Sequence, residues 1–313
     1  MHSTADLVTT ARRVAITGAT GFVGGAVLAA ARSRGHEVVA LIRDPADPRL
    51  SGDDGVHRSA WTLESATNSW PSLQGVAALV HAAAFIPPDV NDLGAAEECF
   101  RLNAVATGRL VEHAAACGVS DFLYLSGGAL YEPRGRPAME SDPLYPAGHG
   151  AVYLSSKLAG ELLAAHAAAR RGIRLTVLRI ASPYGPRMRP TSVVPRFIEA
   201  ARAGKPLVVR SAHRADLVHV DDVAAAVIAA AERGIGGAVN LGSGCATSML
   251  DLAKAVVAAV GNTVAIEVSD HDSVSAGFAE LDCARARGEL EFRPRTLAAG
   301  LRDMIAALAA RST

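Results

Sequence analysis

Tyr153 and Lys157 form the residue pair in this sequence whose types and spacing best suit acid/base chemistry. They are four residues apart in a stretch, roughly 152–170, whose apolar periodicity predicts a long helix, so both side chains lie on one face. A lysine ammonium near a phenol lowers the pKa of the phenol, and such a tyrosine can exchange a proton with a substrate oxygen. We therefore predict that both residues are catalytic, although the same spacing also fits an ordinary amphipathic helix surface.

A glycine-rich stretch, TGATGFVG at residues 17–24, gives this pair its context. It lies between a short apolar strand, Val14–Thr17, and a predicted helix, Phe22–Ser33, as a dinucleotide-binding fingerprint requires. The first glycine permits a tight turn, the second lets backbone approach a pyrophosphate, and the third lets the helix pack against the sheet. The free N–H groups at the helix start then face an anion, and the alternative is a glycine-rich turn without a ligand. The predicted cofactor-binding residues of this turn are Gly18, Thr20, Gly21, Phe22, Val23 and Gly24.

The end of the second predicted strand, Val38–Ile42, indicates which dinucleotide is bound. NAD-binding folds of this type commonly place an acidic residue there to hold the ribose hydroxyls, but this chain has Ile42 followed by Arg43. A guanidinium at this point can pair with a 2′-phosphate, so the sequence favours NADP and makes Arg43 a predicted cofactor ligand. Asp44, one position later, leaves NAD as the alternative, and Arg43 is then a solvated loop charge.

Alternating strands and helices extend to residue 180. Predicted strands at 75–85, 122–126 and 174–180 are separated by helices at about 95–117 and 152–170. This alternation predicts an α/β fold with a doubly wound parallel sheet, a Rossmann architecture. Ligands bind at the carboxyl ends of such strands. We therefore assign His81, Ala82 and Ala83 to cofactor binding, with no catalytic role for His81.

Composition narrows the function class. The 313 residues carry 31 basic and 31 acidic side chains, so no net charge indicates nucleic acid or a membrane surface as a partner. The four cysteines are scattered and form neither a metal site nor a redox pair, which fits a reduced compartment. The sequence has no signal-peptide pattern and no apolar run of the ~18 residues that suggest a membrane span. We expect a cytoplasmic protein that acts on a small molecule, without a metal.

The ordered series of motifs resembles the extended short-chain dehydrogenases/reductases of the NAD-dependent epimerase/dehydratase family. The resemblance covers nearly the whole chain after residue 12. It implies a dinucleotide-binding domain at 12–180, to whose sheet a strand near 238–241 returns, and a mainly smaller substrate domain at 181–313. It also implies that Ile180, Ser182 and Pro183 contact the cofactor. The matching pieces are TGATGFVG (17–24), VHAAA (80–84), Asn103, FLYLSGGALY (122–131), Glu140 with Tyr153 and Lys157, LRIASPYGPR (178–187), VVPRFIEAARAGKPLVV (193–209) and DLVHVDDVAAAVIAA (216–230).

Two departures from the family pattern bear on the reaction. The family has a catalytic Ser or Thr four residues before the tyrosine that is Tyr131 here, and that position is Gly127, with Ser126 one place earlier. Ser126, a predicted catalytic residue, replaces the hydroxyl only if the loop shifts register. The family's 4,6-dehydratases have Thr-Asp-Glu where this chain has Gly-Gly-Ala, which counts against a dehydratase. Sugar-nucleotide enzymes of the family usually have Arg where this chain has Ala215, so a substrate without a nucleotide becomes more plausible.

The resemblance implies an NAD(P)-dependent oxidoreductase that transfers hydride between nicotinamide and a hydroxyl or keto carbon of a sugar nucleotide or related small molecule, with a ketoreductase favoured. A nucleotide-sugar epimerase that recycles its cofactor internally is the alternative. A catalytically inactive NADP-binding sensor or scaffold is the alternative of another class. Family members commonly pair through the helices that correspond to about 95–117 and 151–170, so we also expect a homodimer.

Overall fold

The computed structural model describes residues 11–50, 55–67, 70–132, 134–146, 150–210, 214–269 and 280–310. The expected lead-in at residues 1–11 lies outside these ranges except for Ala11. The strands of the described residues are β1 (Arg13–Thr17), β2 (Glu37–Ile42), β3 (Val56–Ala60), β4 (Ala78–His81), β5 (Asp121–Gly127), β6 (Arg174–Ile180), β7 (Ser182–Tyr184), β8 (Leu207–Arg210), β9 (Arg214–His219), β10 (Gly237–Leu241), β11 (Ala246–Ser248) and β12 (Ile266–Ser269).

The helices flank these strands, and the longest of them carries the predicted catalytic pair. None of the described helices is long and apolar enough to cross a membrane. The α-helices of the described residues are α1 (Phe22–Ser33), α2 (Ala96–Phe100), α3 (Ala106–Ala116), α4 (Ala151–Arg171), α5 (Val193–Arg202), α6 (Val220–Arg233), α7 (Met249–Val260), α8 (Ala284–Glu289) and α9 (Leu297–Ala310).

Seven parallel strands form the main sheet in the order β10-β6-β5-β4-β1-β2-β3. One face is covered by α1 and α6, whose Val27 and Val227 join its core, and the other by α3 and α4 through Leu110 and Ala164. The predicted doubly wound α/β sheet is therefore confirmed. The strand order reverses direction between β1 and β4, and a crevice opens at the carboxyl ends of the strands on the two sides of such a switch point.

A third apolar cluster lies among later residues and includes Tyr184, Phe197, Leu252 and Leu301. Its strands form two small sheets, β11-β9-β7 and β12-β8. β10 leaves this part of the chain and pairs in parallel with β6 at the edge of the main sheet. The division into two domains at residue 180 remains a prediction.

Two elements differ from their sequence-based bounds near the crevice. The predicted strand at 75–85 is β4 alone, because the chain leaves the sheet after His81 and Phe85 pairs with a side chain instead. The Asn103 amide accepts from the Phe85 N–H at 2.7 Å and donates to the Phe85 carbonyl at 2.8 Å. The predicted helix at 95–117 contains a π-helical stretch, Arg101–Val105, between α2 and α3, and such stretches often mark functional sites.

Candidate active site

At its glycines, the turn between β1 and α1 has little room for a Cβ atom. Gly18 has φ +66°, and a Cβ there would lie 2.9 Å from the Ala83 nitrogen, so the turn touches the end of β4. A Cβ on Gly24 would overlap the Gly18 carbonyl, which explains the close approach of α1. Gly21, the exposed N-cap of α1, provides no side-chain hydrogen bond to the first N–H groups, and the first turn of the helix has no acidic residue.

This cradle fits the pyrophosphate of a dinucleotide. Uncapped N–H groups at a helix N-terminus attract an anion, and the glycines let the anion approach the backbone. Thr20, Phe22 and Val23 are partly buried beside these groups, in the places expected for cofactor-binding residues.

Two arginines that the sequence analysis did not select for cofactor binding converge on the turn. Arg49 Nη1 donates to the Thr20 carbonyl at 2.9 Å, and Arg187 Nη2 donates to the same oxygen at 3.4 Å. Arg49 is also paired with Asp47, and the hydrogen bonds from Arg49 lower the pKa of Asp47 to about 2. For Arg49 the available signal in the sequence was its short spacing from Asp47, which is common in loops, whereas Arg187 ends the matching segment LRIASPYGPR (178–187).

The end of β2 exposes one cation. Ile42 is buried, and Arg43 is exposed with no hydrogen bond or ion pair to any described residue. Arg58, on the neighbouring β3, donates to the carbonyls of Pro45 and Leu50 and so supports the loop that follows Arg43. Among the described residues, Arg43 is therefore an unpaired guanidinium at the carboxyl end of β2, where it could contact a 2′-phosphate.

The predicted catalytic pair lies in the first half of α4. Lys157 is buried, and its Nζ donates to the Leu125 carbonyl of β5 at 2.9 Å and lies 4.1 Å from the Tyr124 ring centroid. Burial lowers the pKa of Lys157 to about 7, and the Glu161 carboxylate one turn later opposes this shift. Tyr153 is partly exposed, but burial raises its pKa to about 12. The spacing led us to expect a lowered phenol pKa, and that direction is wrong here because desolvation by burial, with a further contribution from Cys99, raises the pKa.

Asn103 connects this helix to the crevice. Its Nδ2 donates to Ser156 Oγ at 3.0 Å, and Ser156 Oγ donates to the Tyr153 carbonyl at 2.7 Å. The same amide holds the backbone of Phe85 after β4. The sequence analysis placed Asn103 on a helix, but the π-helical stretch that turns its side chain to α4 leaves no pattern in the sequence.

Other predicted cofactor residues lie at the carboxyl edge of the sheet. Ala82 and Ala83 follow β4, and the Ala83 N–H donates to Thr17 Oγ1 at 3.1 Å. The His81 ring is buried, so it reaches the glycine turn through Thr17 and not from the crevice. Ile180 ends β6, and Ser182 and Pro183 are partly buried in β7 beside it.

Comparison with known proteins identifies the family. The profile of the NAD dependent epimerase/dehydratase family matches residues 14–242, which is more than half of the chain. This chain belongs to that family. The UDP-glucose 4-epimerase of Mycolicibacterium smegmatis is 31% identical, over 92% of this chain and 96% of its own length. The dTDP-4-dehydro-6-deoxy-D-allose reductase of Streptomyces bikiniensis is 26% identical, over 93% and 94%.

The fold agrees with the sequence match. The structure of MoeE5 in complex with UDP-glucose and NAD superposes with a TM-score of 0.81 at 27% identity, covering 96% of this chain and 100% of MoeE5. The chain is thus an NAD(P)-dependent enzyme of the extended short-chain dehydrogenase/reductase type. In the described part of the chain, no cluster of His, Cys, Asp or Glu could hold a metal ion.

In this epimerase/dehydratase enzyme the end of β5 departs from the family pattern. Pairing between β5 and β6 continues without a bulge to Gly127 opposite Ile180, so the register does not shift. Ser126 lies on the same sheet face as Tyr124, the face that α4 covers. Its Oγ is buried without a hydrogen-bond partner among the described residues. Ser126 therefore faces α4 without the register shift that the sequence analysis required, so that condition was wrong.

Gly128 and Ala129 stand where the dehydratases of the family have their acidic pair. A Cβ on Gly128 would lie 2.9 Å from Leu281 Cδ1 and 3.3 Å from the Ile180 carbonyl, so a side chain at this position requires Leu281 to move. The position in which sugar-nucleotide enzymes of the family have arginine is the buried Ala215, and the exposed Arg214 donates to the Ala246 carbonyl. Both departures expected from the sequence are present in three dimensions.

Proposed function

We propose that this enzyme transfers hydride between a nicotinamide cofactor and a hydroxyl or keto carbon of a sugar nucleotide or a related small molecule, and that it acts as a ketoreductase. The observation that carries the proposal is the placement of Tyr153 and Lys157 on α4. Lys157 is fixed to the Leu125 carbonyl of β5, and Asn103 fixes the Tyr153 turn to the segment after β4. The pair thus lies beside the crevice at which the glycine turn would hold a dinucleotide.

The residues of the chain have separable tasks in this reaction. A bound nicotinamide would supply or accept the hydride. Tyr153, which keeps its proton at neutral pH, gives that proton to the carbonyl oxygen as the substrate carbon is reduced. Lys157 holds the ribose next to the nicotinamide and, when protonated, favours the phenolate that remains. Gly18, Gly21, Phe22 and Val23 hold the pyrophosphate through the backbone.

The choice among reactions rests on the end of β5 and on the end of β2. Gly128 packs against Leu281, and neither it nor Ala129 carries a carboxylate, which disfavours dehydration. Ile42 and Arg43 favour NADP, and cells use NADPH mainly as a reductant, which favours net reduction of a ketone over internal recycling. Arg49 and Arg187 both donate to the Thr20 carbonyl and so stabilise the glycine turn that would hold the cofactor pyrophosphate.

A nucleotide-sugar epimerase is the second candidate. The 31% identical relative that spans nearly the whole chain is a UDP-glucose 4-epimerase, and MoeE5 was solved with UDP-glucose and NAD. An epimerase needs the same acid/base tyrosine but returns the hydride to the same carbon, so its cofactor is not consumed.

Two incubations with purified enzyme distinguish these functions. With NADPH and a dTDP-4-dehydro-6-deoxy sugar, a ketoreductase consumes NADPH and forms one alcohol for each cofactor oxidised. With UDP-glucose and no added cofactor, an epimerase forms the 4-epimer, which chromatography detects. The second result without the first contradicts the ketoreductase proposal, and cofactor binding without turnover in a wide panel of keto and hydroxy sugars contradicts both.

The preference for NADP is tested with Arg43→Ala. Titration should show tighter binding of NADPH than of NADH, and the substitution should remove most of the difference, about 1.5–3 kcal/mol for a charge-assisted hydrogen bond. Arg302→Ala, at an exposed position of α9, is the matched control and should leave both affinities unchanged. Equal affinity of the unmodified enzyme for the two cofactors contradicts the preference.

A further inference from the structure

A continuous chain of buried hydrogen bonds joins the glycine turn to the helix of Tyr153. The Ala83 N–H donates to Thr17 Oγ1 at 3.1 Å, and Thr17 Oγ1 lies 2.8 Å from His81 Nδ1. His81 Nε2 lies 3.0 Å from Thr107 Oγ1, which donates to the Asn103 carbonyl at 2.8 Å. The side chains of Thr17, His81 and Thr107 are at most 1% exposed, so water does not compete for these contacts.

For a neutral His81 ring, one arrangement of protons satisfies all of these contacts. Thr107 has a single hydroxyl proton, and the Asn103 carbonyl has none to offer, so Thr107 donates to that carbonyl and accepts from His81 Nε2–H. His81 Nδ1 then carries a lone pair, and the Thr17 hydroxyl donates to it. Every donor therefore points from the end of β4 towards the π-helical stretch that contains Asn103.

The environment of His81 keeps this arrangement fixed. The imidazole lies among the rings of Trp61, Phe122 and Tyr124, at centroid distances of 6.4, 6.0 and 5.7 Å. Burial, together with the charge of Lys157, lowers the pKa of His81 to about 3. A neutral ring with one N–H and one lone pair is the form that can both accept from Thr17 and donate to Thr107.

The two ends of the chain contact the two halves of the proposed site. At one end Ala83 lies against Gly18 of the glycine turn. At the other end Asn103 reaches Ser156 and, through it, the Tyr153 carbonyl, and a Cβ on Gly160 would lie 2.6 Å from the Asn103 oxygen. The glycine turn and the helix of the acid/base tyrosine are therefore connected through polar groups with a unique orientation.

We infer that His81 and Thr107 are positioning residues, which set the place of Tyr153 relative to the cofactor-binding turn through the chain from Thr17 to Asn103. The effect on catalysis rests on the proposed role of Tyr153 as the acid/base. The hydrogen-bonded chain from Thr17 to Asn103 does not depend on that role. Hydrogen bonds with a defined direction suit this task because a shift at either end leaves a buried polar group without a partner, which is unfavourable. Apolar packing alone tolerates small displacements more easily.

The first test observes the chain of hydrogen bonds by NMR and requires no turnover. Nitrogen-15 NMR of the cofactor-free enzyme should show His81 as a neutral ring protonated at Nε2. Thr107→Val keeps the side-chain shape and removes the hydroxyl, so it should shift the His81 nitrogen signals and the amide signals of both Gly18 and Ser156. An Nδ1-protonated or charged ring overturns the inference, and so do shifts from Thr107→Val that remain confined to α3.

A matched variant separates this role from a general loss of stability. Thr176 is a buried threonine on β6 whose Oγ1 accepts from the Gly236 N–H, away from the chain. Thr176→Val should lower stability while leaving the signals of Gly18 and Ser156 in place. Thr107→Ser retains the hydroxyl and should restore the wild-type His81 signals. Equal amide shifts at Gly18 and Ser156 from both valine variants overturn the inference.

The second test uses turnover and cofactor affinity together. Thr107→Val should reduce kcat roughly ten- to a hundredfold, because a displaced acid/base group loses its alignment with the reacting atoms. Affinity for NADPH should change less than kcat, and Thr107→Ser should recover the rate. An unchanged kcat in Thr107→Val, with the NMR shifts present, removes the positioning role. An unmodified enzyme without any turnover instead contradicts the proposed function, since the NMR arm does not depend on it.

Discussion

Tyr153 is a phenol that keeps its proton at neutral pH, since burial raises its pKa to about 12. Tyr153→Phe preserves the ring and removes only the hydroxyl, so the helix packing survives. We expect turnover to fall by about 10²–10⁴ with little change in the free energy of unfolding. The comparison is Tyr145→Phe, at a tyrosine that is 65% exposed, which should retain wild-type turnover. Wild-type rates in Tyr153→Phe contradict the proposed mechanism.

The lowered pKa of Lys157 makes the free energy of unfolding depend on pH. Its pKa in the folded chain is lowered to about 7 from 10.5, so between these values the unfolded chain binds more protons. The free energy of unfolding contributed by this residue therefore rises with pH across that window. Lys157→Met should reduce the slope by up to about 1.4 kcal/mol per pH unit, measured by urea unfolding at several pH values. Lys205→Met, at an exposed lysine, serves as the control, and an unchanged slope in Lys157→Met refutes the buried-ammonium account.

Residue types predicted the placement of Tyr153 and Lys157 on one helix better than they predicted the electrostatics of the pair. The sequence placed Tyr153 and Lys157 on one helix face, and α4 spans both. The direction of the phenol pKa shift was wrong because it depends on how much water the folded chain excludes, which four-residue spacing does not encode. The contact of Arg49 and Arg187 with the Thr20 carbonyl could not be predicted from the sequence either, because it depends on tertiary contacts.

At the scale of elements, the end of β5 decides which hydroxyl assists the substrate oxygen. Ser126 faces α4 with a buried, unpartnered Oγ, whereas Gly127 has extended backbone and only the Ala129 nitrogen at 4.0 Å from a Cβ built on it. Ser126→Ala should reduce turnover if Ser126 assists, and leave it near normal if Tyr153 or water is the donor. Gly127→Ser fits without strain, and increased turnover would indicate that the rest of the site has the family geometry.

A control for the β5 variants is available on the neighbouring strand β6. Thr176→Val, a buried hydroxyl loss on β6, reports the cost of losing a buried hydroxyl in the same sheet without touching the site. If Gly127→Ser instead lowers stability, as judged by thermal unfolding, the open space beside Gly127 is not available in solution.

Elements with strong periodicity were predicted closely, and interrupted ones were not. β6 and α1 have the predicted bounds, and α4 extends its predicted range by one residue at each end. The helix at 95–117 was predicted as continuous because a π-helical stretch changes hydrogen-bond register without changing residue types. The predicted strand at 75–85 was longer than β4. The Phe85 backbone pairs with the Asn103 side chain instead of a neighbouring strand, and no local sequence pattern indicates this.

At the scale of the whole molecule, apolar side chains remain exposed on the outer surface of α2, α4 and the π-helical stretch. Leu162 is 64% exposed, and Phe100, Val105 and Leu163 are each at least 40% exposed. The predicted homodimer would cover them through the helices at about 95–117 and 151–170. Light scattering at micromolar concentration should give a dimer mass, and Leu162→Glu should shift it towards the monomer. Leu93→Glu, at another exposed leucine outside these helices, is the control, and a monomer mass for the unmodified enzyme refutes the prediction.

The large sheet could be anticipated from strand and helix alternation, whereas the two small sheets could not. Their strands are three to six residues long and pair across distant parts of the chain, such as Ala246 with Asp216. Short strands carry too few residues for a clear period, and their pairing is set by the cluster around Tyr184 and Phe197.

The position of β10 also determines when a newly made chain can complete its fold. Asn240, on β10, accepts from the Tyr131 hydroxyl at 2.8 Å, and that hydroxyl in turn accepts from Arg179 at the same distance. Tyr131 follows the β5 end, so the loop beside the crevice obtains one of its anchors from a strand that leaves the ribosome after Tyr153, and Ala138 of the same loop pairs with Leu281 later still. A nascent chain that already contains the glycine turn and the whole of α4 therefore still lacks a finished pocket.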